Sequence, residues 1–194
     1  MTNEEKIIKL LNEKNGYITT EDIIKLNISK PSINAYVKKG IIEKVSRGLY
    51  IDSNIIKDEY YILQRKYNSA IFSYNTALHI LNLTNRAPMK LDITVPRNKK
   101  VRGNYNIHRV SKKYYSIGIT EVISPYGNVI KVYNAERCIC DMLRNEDEFD
   151  IELKKRILNY YFNSKDKDID KLLEYAKVFK VYDKVITLVE YILS

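Results

Sequence analysis

The chain has 194 residues, with 33 Lys and Arg against 24 Asp and Glu, a formal net charge of +9 and a hydrophobic fraction of 45%. That length allows one larger domain or two small ones, and the ordinary apolar and charged fractions exclude wholesale disorder. No stretch is long and apolar enough to cross a bilayer and the first residues are acidic, so a cytoplasmic, membrane-free protein with a polyanionic partner is expected.

Thr2 and Glu5 match a capping box, and Ile7, Leu10 and Leu11 repeat at i, i+3, i+4. This pattern predicts a helix to about Asn15, ended by Gly16. Tyr17-Ile18-Thr19 reads as a short extended link, and Thr19 with Asp22 as the cap of a second helix burying Ile23 and Leu26. Ser29-Lys30-Pro31 opens a third helix, where the missing proline amide is harmless in the first turn. Its inner face is Ile33, Tyr36 and Val37, which leaves Ser32, Asn34, Ala35, Lys38 and Lys39 on the open side.

Gly40 stops that helix. The apolar runs 41–45 and 49–51 then flank Ser46-Arg47-Gly48, and Gly48 supplies the positive φ of a tight hairpin loop. Three helices followed by a hairpin give a winged helix-turn-helix. In that arrangement the third helix enters the DNA major groove and the hairpin reaches phosphate or the adjacent minor groove. Ser32 and Asn34 are suited to reading base edges, and Lys38, Lys39, Lys44 and Arg47 to gripping phosphate. A winged helix used for protein contact, with a solvated lysine face, is the alternative.

Beyond a boundary near residue 55, helices are predicted over 58–67 and 73–81, with a short strand over 70–72 between them. Strands are predicted over 91–95, 105–110, 117–123 and 129–133. Asn134 is placed to cap a helix holding Cys138 and Cys140, and residues 150–194 read as two or three amphipathic helices. The fold class is therefore α+β: an N-terminal winged helix-turn-helix over 1–55, then a mixed α/β domain with a helical C-terminal end over 56–194.

Most of the excess charge lies in residues 86–113, where nine basic residues face the single acid Asp92. Arg97, Lys99, Lys100, Arg102 and Arg109 are interleaved with Tyr105, and Lys112 and Lys113 precede Tyr114 and Tyr115. Cations among aromatics suit nucleic acid. The segment either extends a DNA footprint, contacts an RNA or nucleotide, or is a solvated basic loop.

Catalytic and metal chemistry find little support. Cys138 and Cys140, the only cysteines, lie about 200° apart around a helix and cannot bridge each other. His79 and His108 offer no ligand spacing, so no metal or cofactor is expected. Arg137 and Asp141, four apart, read as a helical ion pair beside Glu136 rather than as catalytic residues. Ser73, Asn75, Thr76 and His79 can line a pocket from one helix, although Ser73 also reads as a cap. Glu152-Leu153-Lys154 and Asp166-Lys167-Asp168 lack the context of nuclease or nucleotidyltransferase sites.

Arg47-Gly48-Leu49-Tyr50, "FSYNTALHILNLTNRAP" over 72–88, "ITVPR" over 93–97 and "VYNAERCICDMLR" over 132–144 together resemble the AbiEi family of antitoxins. These belong to bacterial abortive-infection (type IV) toxin–antitoxin pairs that act in phage defence. The resemblance implies an autorepressor whose winged helix binds promoter inverted repeats in double-stranded DNA. It also implies a C-terminal domain that neutralises a co-encoded nucleotidyltransferase toxin without a stable complex. The expectation is thus a non-enzymatic antitoxin and transcriptional repressor. The alternatives are a nucleic-acid-modifying enzyme and a module that sequesters the toxin directly.

Overall fold

The computed structural model describes residues 1–193. They form two compact units, Met1–Asn68 with Ile123–Ile130, and Ser69–Val122 with Lys131 onward.

The first unit begins with α1 (Asn3–Glu13), where Glu5 N–H donates to Thr2 Oγ1 and Thr2 N–H to Glu5 Oε2, the reciprocal pairs of a capping box. Its apolar stripe buries Ile7 and Leu11; burial of that kind contributes about 1.5–3 kcal/mol per side chain. The expected extended link is strand β1 (Tyr17–Thr19). A second capping box, Thr19 with Asp22, opens α2 (Thr20–Lys25). Then come α3 (Lys30–Lys38) and the hairpin of β2 (Ile42–Ser46) and β3 (Leu49–Asp52). The three strands form an antiparallel sheet in the order β1-β3-β2. Ile7, Leu11, Ile18, Ile23, Ile28, Ile33, Ile42 and Tyr50 make one core beneath the helices. The unit is helix-turn-helix-like with a small sheet, the architecture expected for the N-terminal part.

Helix α4 (Glu59–Lys66) also belongs to the first unit. Its N-cap, Asp58, is completely buried. Asp58 Oδ1 accepts from Tyr61 N–H at 3.0 Å, and Oδ2 from Ser124 Oγ at 2.5 Å and Asn128 Nδ2 at 2.9 Å. Asn15 Nδ2 in turn donates to Asn128 Oδ1 at 3.1 Å. A buried carboxylate persists only when its lone pairs are filled in this way, and two of its donors come from residues more than sixty positions away.

The second unit is a mixed sheet with helices. Strand β4 (Ile71–Phe72) runs directly into α5 (Tyr74–Ile80); β5 (Asp92–Pro96), β6 (Asn106–Val110), the short α6 (Lys112–Tyr115), β7 (Ile119–Ile123) and β8 (Val129–Tyr133) follow. Sheet order is β6-β5-β4-β8-β7. Strand β4 is antiparallel to β5 and parallel to β8, and β5 is parallel to β6. Then come α7 (Ala135–Arg144), a 3₁₀ turn (Glu146–Glu148), α8 (Ile151–Asn163), α9 (Ile169–Phe179) and α10 (Tyr182–Leu193).

Helix α7 is the axis of this unit. Every residue from Glu136 to Leu143 is buried, so its polar side chains must find partners inside. Arg137 donates through Nε to Asp141 at 2.8 Å and through one terminal nitrogen to the carbonyls of Tyr114 and Ile117. The guanidinium carbon lies 4.2 Å from the ring centres of both Tyr133 and Phe179. Glu136 accepts from the Tyr161 hydroxyl at 3.1 Å. The ion pair expected from the i, i+4 spacing is present and wholly buried.

Candidate nucleic-acid interface

Helix α3 is positioned by what it buries. Ile33 points into the core, and Tyr36 and Val37 pack partly against it. The helical period then turns Asn34, Ala35 and Lys38 to solvent. Ser32 is only half-exposed, and its hydroxyl shares a 2.8 Å hydrogen bond with Ser29 Oγ. Lys39, the C-cap residue, sends its ammonium to Glu4 Oε2 at 3.1 Å. That pair is exposed on both sides and so weak, but it makes Lys39 less available than Lys38, which has no partner among the described residues.

The hairpin closes on Arg47-Gly48, with Ser46 paired to Leu49 and a bulge between Lys44 and Ser46. Gly48 has φ +75, a conformation that side-chain-bearing residues rarely adopt. Its carbonyl accepts from Thr20 N–H at 2.9 Å, which ties the loop to the start of α2. Arg47 and Lys44 are exposed and without partners among the described residues. On the same strand, Glu43 is taken by Lys57 at 2.6 Å. Asn34, Lys38, Lys44 and Arg47 are therefore the open donors of the first unit's expected contact set.

In the second unit the stretch from Arg97 to Tyr105 is a loop between β5 and β6. The apolar Val101 is buried at its middle, which leaves Arg97, Lys99, Lys100 and Arg102 exposed. Arg109 is exposed on β6, an edge strand. Lys112 and Lys113 are exposed on α6, where Lys113 lies 5.6 Å over the Tyr114 ring. No acid occurs between Asp92 and Glu121, so the basic character of this segment is not neutralised along the chain. Arg86 differs: it is paired with Asp150 at 2.8 Å.

The pocket expected from Ser73, Asn75, Thr76 and His79 is only partly brought together. Ser73 is the N-cap of α5 but makes no side-chain cap bond; its Oγ accepts from Thr94 Oγ1 at 2.9 Å. Thr76 Oγ1 accepts from Asp92 N–H at 2.7 Å. Asn75 lines a separate cavity of about 440 Å³ with Asp92, Asn106 and Glu148. His79 Nδ1 is buried without a hydrogen-bond partner among the described residues.

Sequence reasoning missed the other half of this polar cluster. Asp92 Oδ1 lies 3.1 Å from His108 Nε2, and the His108 ring stacks on Tyr74 at 3.8 Å and 14°. Tyr74 starts α5 with φ +47, and its hydroxyl accepts from Asn145 Nδ2 at 2.8 Å. No spacing rule links residues 74, 92, 108 and 145; only sheet register and the abrupt β4-to-α5 junction do.

Among the described residues no group of His, Cys, Asp and Glu is arranged to hold a metal ion. No helix among them is long and apolar enough to cross a membrane. Burial pushes the Cys138 thiol well up and that of Cys140 to about 12.

Residues 5–51 match the family described as transcriptional regulator, AbiEi antitoxin. The matched stretch holds all of α3 and the hairpin loop, and it agrees with the resemblance seen in the sequence. The solved structure of the RV2827C protein from Mycobacterium tuberculosis superimposes with a TM-score of 0.57. It covers 97% of this chain and 80% of that one at 11% identity, a likeness of fold. No curated protein matches the chain.

Proposed function

We propose that this chain, whose first unit carries the AbiEi antitoxin regulator segment, is the autorepressor and antitoxin of a type IV operon, acting in the cytoplasm. Helix α3 occupies the major groove of promoter inverted repeats, with Asn34 on base edges and Lys38 on phosphate. Ser32 and Lys39 join once their hydrogen bonds to Ser29 and Glu4 are exchanged for DNA. Lys44 and Arg47 hold the hairpin against the flanking backbone. The observation that carries this reading is the set of exposed donors Asn34, Lys38, Lys44 and Arg47, without partners among the described residues, on the unit whose residues 5–51 match a regulator family.

Residues 56–194 form the antitoxin part, which neutralises a co-encoded nucleotidyltransferase toxin without a stable complex. Arg97, Lys99, Lys100, Arg102 and Arg109 provide its nucleic-acid surface. The reading is not enzymatic: Glu136, Arg137 and Asp141 are committed to buried partners. The test is anisotropy titration of promoter DNA over a series of salt concentrations. Arg47→Ala should weaken binding and lower the salt slope by roughly one. Undiminished binding by Asn34→Ala/Lys38→Ala/Arg47→Ala combined overturns the DNA reading. Co-expression with the neighbouring gene tests the antitoxin reading separately, through growth.

A further inference from the structure

The hairpin loop that carries Arg47 is held more firmly on one arm than on the other. Strand β2 lies at the edge of its sheet, and its register slips between Lys44 and Ser46, so Val45 has no residue opposite. A bulge leaves its extra residue unpaired and interrupts the ladder. The other arm, β3, sets the buried Leu49 opposite Thr19 of β1. That ladder runs one residue past both strands, where Thr20 N–H donates to the Gly48 carbonyl at 2.9 Å. The bond pins the chain one residue away from the exposed arginine.

Thr20 is itself firmly placed. It is the first residue of α2, behind the N-cap Thr19, whose hydroxyl accepts from Asp22 N–H at 3.1 Å while its N–H donates to Asp22 Oδ2 at 2.9 Å. Asp22 Oδ1 in turn takes the ammonium of Lys14, the C-cap of α1, at 2.6 Å. The loop is thus moored to the start of one helix and, through it, to the end of another. A first-turn N–H has no acceptor inside its own helix, which leaves that of Thr20 available to the hairpin. An arginine on a loop already fixed gives up less freedom on meeting phosphate than one on a loose loop.

We propose that Thr20 is a positioning residue for the DNA contact of Arg47, acting through its backbone N–H rather than its side chain. The inference rests on the repressor reading above and names what sets the hairpin in place for it. Proline isolates the N–H. It is well tolerated at the first helical position, and Thr19, at φ −100 and ψ 163, already has the extended backbone needed before one. Thr20→Pro therefore removes the donor and pushes the Gly48 carbonyl away while leaving α2 its cap. Thr20→Ala keeps the donor and loses only the side chain.

Anisotropy titration of promoter DNA compares the parent protein with Thr20→Pro, Thr20→Ala, Arg47→Ala and Thr20→Pro/Arg47→Ala. Thr20→Pro should weaken binding about three- to tenfold, and Thr20→Ala should bind as the parent does. In the Arg47→Ala background Thr20→Pro should add no further loss, a coupling that general damage to the unit does not produce. Parent-like binding by Thr20→Pro overturns the proposal. So does an equal loss with and without Arg47, or a loss in Thr20→Ala that matches Thr20→Pro. Should Thr20→Pro fail to fold by circular dichroism, Gly48→Ala is read by the same coupling. Its Cβ would lie 3.5 Å from Thr20 Oγ1, an ordinary contact, but at φ +75 it strains the same turn. A parent protein that binds no promoter DNA removes the repressor reading and this inference together. Binding that Arg47→Ala weakens without coupling to Thr20 removes the inference alone.

Discussion

Arg137 shows how one side chain can organise a unit. Its guanidinium lies between the rings of Tyr133 and Phe179, bonds Asp141 along α7, and holds the carbonyls of Tyr114 and Ile117. Arg137→Met keeps much of the volume but takes from the buried Asp141 its ion-pair partner and from two partly buried carbonyls a donor. Loss of one partner of a buried pair costs about 3–5 kcal/mol, so urea denaturation should show a correspondingly lower midpoint. The sequence predicted the pair from its i, i+4 spacing, but its depth comes from elements far along the chain that no local pattern reports. The cysteines on the same helix give a second expectation. With both thiols raised by burial, thiolate is scarce, and a disulfide reagent at mildly alkaline pH should label neither in folded protein and both in guanidinium.

At the scale of elements, caps and periodicity carried most of the information. Both capping boxes of the first unit, the apolar faces of its helices and the Gly48 hairpin are written in local residue order, which is why they were legible. Contacts between elements were not. The Lys39–Glu4 pair joins α3 to α1, and the Ser29–Ser32 hydrogen bond occupies a hydroxyl proposed to read a base edge. These details rank the contacts on α3. Lys38→Ala should weaken promoter binding more than Lys39→Ala, because Lys39 must give up Glu4 to reach phosphate. Glu4→Gln should bring Lys39 nearer to the value of Lys38. Anisotropy titrations of the three variants at one low salt concentration decide the order. The β4-to-α5 junction shows the opposite limit: Tyr74 in the left-handed region belongs to no propensity rule, so the cluster it shares with Asp92 and His108 could not be read from the chain.

For the molecule as a whole, the first unit, proposed above to bind DNA, is completed by residues 123–130 from the second half of the sequence. Ser124 and Asn128 fill the lone pairs of Asp58, and Asn128 also accepts from Asn15. Removing the Asn128 amide leaves a buried carboxylate and an amide donor short of partners, a loss of about 1–3 kcal/mol. Asp58→Asn keeps the helix cap but sets its own N–H groups or a weaker acceptor against the same two donors. The double variant should therefore lose less than the two single losses added together, a coupling measurable by chemical denaturation of all four proteins. The effect on DNA separates stability from contact. Asn128→Ala touches no phosphate-binding residue, so it should lower the fraction of competent protein while leaving the slope of affinity against salt unchanged. Replacing Arg97, Lys99, Lys100 and Arg102 together by Ala removes charge instead. If that segment lies along the operator, the slope falls by up to roughly four while the denaturation midpoint stays near that of the parent protein. A slope that does not change confines the DNA footprint to α3 and the hairpin and leaves the basic segment to the antitoxin role.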